Sequence, residues 1–172
     1  MVSINIIKSA EIYKISLYLL ISIVMGVFFG SLLDIHLTIN RETISMIDIF
    51  LNNLIIGIVL VLFTSLVSFP IILFNGFFLG VNIFFSIQLF GSYKTFLTLV
   101  FHTPLEIFGW ILCIIASNRM FIFYRGLFKK QFNLDVLLYV FKSIGVLILI
   151  YLLAAIIEYN VFELLGGSEW LS

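Results

Sequence analysis

The sequence predicts an all-α fold, a polytopic transmembrane helical bundle of about five spans with its N-terminus inside and its C-terminus outside. Composition is the first reason: 63% of residues are hydrophobic and only 10% are charged, far from the balance of a soluble domain. The second is spacing. Apolar stretches near 15–33, 51–69, 71–90, 95–117 and 136–157 are separated by short connections, so residues 1–172 form a single transmembrane domain. The third is the placement of basic residues, which fits the positive-inside rule for this number of crossings.

A helix needs about 20 apolar residues to cross a bilayer. Ile15–Leu33 meets this length and follows Lys8 and Lys14. It exceeds a typical signal-peptide core, and no small-x-small cleavage pattern follows, so it reads as a retained helix. Leu51–Phe90 carries no charge and is about twice the length of one span, so it must fold back. Its turn signals are Ser68-Phe69-Pro70 and Phe74-Asn75-Gly76. They place a break near Pro70 between two tightly connected helices, with a pair of half-helices as the alternative. Treating 51–90 as one crossing would put the basic Arg119–Lys130 stretch outside, against the charge rule. With five crossings the inside segments carry Lys8, Lys14, Arg119, Arg125, Lys129 and Lys130, and the outside segments only Arg41 and Lys94. Lys142 can snorkel toward the inner face.

Two inner elements have interfacial character. Residues 2–14 mix apolar groups with Lys8, Glu11 and Lys14, and the loop 118–135 mixes aromatic and basic groups. Both suit the headgroup layer, or the docking of a cytoplasmic partner through Arg119, Arg125, Lys129 and Lys130. Helix packing is expected where small residues repeat at four-residue spacing: Ser22, Gly26 and Gly30 in the first span, Gly76 and Gly80 in the third. Those glycines also offer surfaces for a homo-oligomer. In the fourth span His102, Glu106, Gly109, Cys113 and Ala116 form one stripe, opposite Phe101, Leu105, Phe108, Leu112 and Ile115. The polar stripe should face protein, because a carboxylate exposed to lipid costs several kcal/mol.

The candidate polar intramembrane site is therefore His102 with Glu106, joined by Asn75 and, more weakly, Glu158 at the end of the last span. Pro104 between the first two predicts a kink or break. The pair serves either as a proton- or substrate-responsive gate, or as an interhelical tie to Asn75, Asn82, Ser86 or Tyr151. Asn52 and Asn53 open the second span, either as caps or as partners of a neighbouring helix.

Several chemistries are absent from the sequence. There is no phosphate-binding G-x-x-x-x-G-K-[ST] loop, no H-E-x-x-H and no G-x-S-x-G. With one cysteine and two histidines, no closed metal site and no cofactor are expected, and no enzymatic activity. Zero net charge gives no field to recruit nucleic acid.

In order, Asn52-Asn53, Asn75-Gly76-Phe-Phe-Leu-Gly80, His102-x-x-x-Glu106 and Ala154-Ala-Ile-Ile-Glu158 resemble the stage II sporulation protein M family of integral membrane proteins, over roughly residues 15–160. That family usually shows Pro-His-Gly-x-x-Glu; here Phe101 and Thr103 replace the Pro and Gly, and a proline stands at 104. The resemblance implies a membrane protein of one of two settings. One is a short member found with bacteriocins, serving peptide export and immunity beside a separate ABC-type ATP-binding subunit. The other is a sporulation scaffold that recruits peptidoglycan hydrolases through the outer 34–48 loop and the acidic C-terminal tail. Both sit in the bacterial plasma membrane. An ion-coupled transporter using Glu106 is a third possibility.

Overall fold

In the computed structural model, residues 9–33 and 45–164 are described. Lys8, Arg41, most of the 34–48 loop and the acidic end of the tail fall outside them. The described chain forms five helices in order: α1 (Ser9–Leu32), α2 (Met46–Leu62), α3 (Ser65–Phe90), α4 (Ser92–Phe128) and α5 (Leu134–Leu164). Four of them, α1, α3, α4 and α5, are long and apolar enough to cross a membrane. α2 has 17 residues, about 26 Å, slightly less than the roughly 30 Å hydrocarbon layer. Large apolar side chains dominate the outer surface, with Phe28, Leu66, Phe74, Phe108, Phe141 and Leu149 all exposed. In water such a surface would drive association; lipid is its matching solvent.

Only one of the two main helix pairs joins neighbours in sequence. α1 packs chiefly on α3, α4 on α5, and α2 against α4 and α5. The contacts also fix direction. Along α1 and α3, Tyr18 meets Phe69, Ser22 meets Leu73, and Gly30 meets Phe84, so these two run parallel. Along α2 and α4, Asn53 meets Glu106 and Leu62 meets Tyr124, again parallel. Gly109 facing Tyr151 and Arg119 facing Tyr139 make α4 and α5 antiparallel. α3 starts beside the end of α2 and finishes at Gly91, directly before α4. The five helices therefore alternate in direction, as five successive crossings require.

The break inside 51–90 does not fall at Pro70. α2 ends at Leu62, Phe63 and Thr64 are extended, and α3 runs unbroken from Ser65 through Pro70, Asn75 and Gly76. Side chains make the earlier break possible. The Ser68 hydroxyl donates to the Leu60 carbonyl at 2.6 Å, and the Tyr124 hydroxyl donates to the Leu62 carbonyl at 3.0 Å. Both satisfy acceptors that the end of a helix leaves open. Pro70 stands in the second turn of α3, where it forgoes the backbone bond to the Leu66 carbonyl without interrupting the helix. Ser45 and Asp48 form a reciprocal capping box at the start of α2, so Asn52 and Asn53 are not its caps.

α4 departs further from expectation. It has 37 residues, about 55 Å, and passes through Pro104 without interruption. It absorbs most of the expected 118–135 loop, leaving only 129–133 as the connection to α5. The end is a Schellman turn: Gln131 N–H donates to the Gly126 carbonyl at 2.8 Å and Lys130 N–H to the Leu127 carbonyl at 3.0 Å. Lys130 holds the left-handed position, with φ 56°. Asn133 then caps α5 by accepting from the Asp135 amide at 3.0 Å. At the other end of α4 one glycine suffices for the turn, since Gly91 adopts φ 80°. Of the interfacial element expected over 2–14, residues 9–14 lie within α1, and 2–8 fall outside the described residues.

The glycine repeats face each other inside one chain. A Cβ on Gly26 would collide with the Phe77 carbonyl oxygen, and one on Gly80 with the Ile23 carbonyl oxygen. Gly76 lies against Leu19. The surfaces expected to serve a homo-oligomer are thus consumed by the α1–α3 contact. With no hydrophobic drive between helices in lipid, this close backbone approach supplies dispersion contacts that hold the pair together. The Ser22 hydroxyl adds a bond to the Leu73 carbonyl at 2.5 Å.

Candidate functional site

The site is a seam between α2, α4 and α5. α4 presents His102, Gly109, Cys113 and Ala116 as buried residues on one face, with Glu106 half-buried among them. Phe101 and Phe108 on the other face are exposed. Spacings of three and four residues keep the stripe in line.

Glu106 is met from α2. The Asn53 side-chain amide donates to Glu106 Oε1 at 3.0 Å. The hydrogen bond comes from Asn53 and not from Asn75, Asn82, Ser86 or Tyr151, the expected partners; Asn75 is half-buried on α3. On α5, Glu158 stands two turns beyond Tyr151, which packs on Gly109 of the antiparallel α4, and so lies level with His102. Glu158 is half-buried, so it belongs to the seam and is not simply a solvated terminal group. His102 is 9% exposed, and its Nδ1 has no hydrogen-bond partner among the described residues.

One turn deeper the seam closes on Tyr151, which is 2% exposed. Its ring lies between two glycines. A Cβ on Gly57 of α2 would stand 2.6 Å from Tyr151 Cε2, and one on Gly109 of α4 would stand 2.7 Å from Cε1. Glycine is needed at both positions because the flat ring takes the space of the missing side chains. The Tyr151 hydroxyl faces Cys113 Sγ at 3.7 Å, and that sulfur also points to the Gly57 carbonyl at 3.6 Å. Gly57 and the ring clamp were not singled out from sequence. The only available signal was that Tyr151, Ala154, Ala155 and Glu158 share one face of α5.

The residues expected to dock a partner divide. Arg119 turns inward along α4, with its guanidinium 5.4 Å from the centre of the Tyr139 ring, an attractive cation–π placement. It is engaged within the chain. Arg125, Lys129 and Lys130 are exposed at the far end of α4. Among the described residues, no group of three or more His, Cys, Asp or Glu side chains is placed to hold a metal ion.

Asn53→Ala is expected to lower stability by about 1 kcal/mol, the scale of one interhelical hydrogen bond in a membrane. The readout is the midpoint of unfolding in a denaturing detergent. Combining it with Glu106→Ala should cost less than the sum of the two single changes; strictly additive costs would mean that the two side chains do not interact.

Fold and site together define a class: a polytopic helical membrane protein with a polar seam buried between three of its helices. No family model, curated protein or solved structure matches the chain. The resemblance to the stage II sporulation protein M family rests on its motifs alone.

Proposed function

We propose that this chain is the integral membrane subunit of a peptide export or self-protection system and works with a separate ABC-type ATP-binding subunit. The observation that carries this reading is α4. At about 55 Å it outruns the bilayer by roughly 25 Å, and it ends in the exposed Arg125, Lys129 and Lys130. The same helix carries Glu106 in the seam. A rigid helix with a basic outer end and a polar inner face can transmit a push from a partner to the α2–α4–α5 interface. The helix directions place Lys14, Arg119, Arg125, Lys129, Lys130 and Lys142 toward one end of the bundle. By the positive-inside rule that end faces the cytoplasm, where an ATP-binding partner would be. Since the sequence contains no phosphate-binding loop, the energy source is a second protein.

Co-purification from the native host tests this. An ATP-binding protein should accompany the wild-type chain. Reversing the charges of Arg125, Lys129 and Lys130 together should abolish that association without unfolding the bundle. Glu106→Gln should retain folding and assembly while export or resistance falls at least about tenfold, the effect of losing roughly 1.4 kcal/mol of coupling. The proposal fails if no such protein associates and deleting its gene leaves export and resistance intact. The alternative, a scaffold for peptidoglycan hydrolases, would rely on the 34–48 loop and the tail, and nothing in the described residues favours it.

A further inference from the structure

We infer that Glu106, Glu158 and His102 form a proton-binding site in the seam, holding an exchangeable proton that enters from the end of the bundle opposite the basic one. This goes beyond the proposed function and does not depend on it. Three observations converge. Tyr151 of α5 packs on Gly109 of the antiparallel α4, so Glu158, two turns beyond Tyr151, lies level with the stretch of α4 that carries His102 and Glu106, and two like charges in a low-dielectric setting oppose simultaneous ionisation. His102 is more than nine-tenths buried, and its Nδ1 has no hydrogen-bond partner among the described residues. The third concerns the ligand. The three groups are not arranged to hold a metal ion, and the apolar groove around Pro104 lies along Phe96, Leu99, Val100, Ile107 and Phe108 instead. A proton is the ligand that would neutralise a carboxylate held in such a setting.

The groups form a path. Glu158 lies toward the end of α5, with His102 toward the start of α4, at the same end of the antiparallel pair. Glu106 lies one turn deeper than His102, and Gly109, three residues further on, packs against Tyr151, beside Cys113. A proton carried on His102 can pass to a Glu158 carboxylate oxygen: one N–H bond breaks, one O–H bond forms, and the imidazolium and carboxylate charges cancel together. On Glu106 the proton changes the bond to α2, because a carboxyl group can donate to the Asn53 side-chain oxygen whereas a carboxylate only accepts from its nitrogen. Protonation thus alters the contact between α2 and α4.

Other charged groups of the described residues are placed as follows. α2 contributes the neutral Asn53, and its Asp48 is exposed in the capping box. α3 contains no ionisable side chain between Ser65 and Phe90. On α5, Lys142 lies toward the opposite end, and on α4, Lys94 belongs to the first turn. α1 carries its ionisable groups, Glu11, Tyr13, Lys14 and Tyr18, toward the basic end.

Dicyclohexylcarbodiimide, which modifies protonated carboxyl groups within membranes, provides the test. The full chain in lipid vesicles is treated across the pH range in which histidine titrates, and the adducts are located by peptide mass spectrometry. The expected result is an adduct on Glu106 or Glu158 that declines as pH rises. Glu158→Gln removes the like charge and should lower labelling of Glu106 near neutral pH about tenfold. A folded wild-type protein that is unlabelled at both positions at every pH overturns the inference. So does labelling of Glu106 that ignores Glu158→Gln in a variant with an unchanged helical spectrum. If that variant does not fold, the wild-type pH profile decides. Export and resistance are not read here, so failure leaves the proposed function standing.

Discussion

Gly26→Ala and Gly80→Ala are each expected to remove most of the folded protein. The colliding atoms are backbone: the Phe77 carbonyl and Gly80 Cα for a Cβ at 26, and the Ile23 carbonyl with the Val27 amide for a Cβ at 80. Backbone cannot rotate aside as a side chain can, so α1 and α3 must separate along their length. The cost should reach or exceed the upper end of the overpacking range, about 3 kcal/mol. Two other glycines calibrate the experiment. Gly30→Ala meets only the Phe84 side chain, nearest at 3.1 Å, and should cost about 1 kcal/mol. Gly145→Ala meets nothing within 4 Å and should be neutral or stabilising by up to about 1 kcal/mol through helix propensity. Monodisperse yield in mild detergent and the midpoint of thermal unfolding rank all four. If Gly26→Ala and Gly145→Ala behave alike, the close α1–α3 contact is wrong.

Tyr151→Ala is the second change with a large expected effect, about 3–5 kcal/mol, because it empties the space between Gly57 and Gly109. Tyr151→Phe should cost less than about 1 kcal/mol, since the hydroxyl's partner is a sulfur at 3.7 Å. Gly57→Ala and Gly109→Ala press the ring from opposite sides, so it cannot escape one without meeting the other. Each should destabilise by about 1–3 kcal/mol. Adding Tyr151→Leu to either should recover part of the loss, and that departure from additivity identifies the ring as the shared contact. Equal costs with and without the tyrosine would refute the clamp.

The reliable signals in the sequence were those that depend on the solvent. The apolar composition called for helices in lipid, and the four-residue spacing of His102, Glu106, Gly109 and Cys113 marked a face of α4 that lipid would penalise. The sequence misled where a local signal competed with a distant partner. Pro70 suggested the break in 51–90, yet the chain turns at Phe63–Thr64, because Ser68 and Tyr124 satisfy carbonyls there. Charges after Ser117 suggested a loop, yet Arg119 packs on Tyr139 and the helix continues to Phe128. The glycine repeats were visible, but not that they would be used on each other.

By itself, then, the sequence determined the solvent, the helical class and the polar face of α4, because each follows from side-chain polarity repeated at helical spacing. Only the tertiary structure decided that Asn53 is the partner of Glu106, that Glu158 joins them, and that Tyr151 lies between Gly57 and Gly109. Those pairings join residues far apart in the chain. They depend on which helices become neighbours and in which direction they run, and no local pattern carries that information.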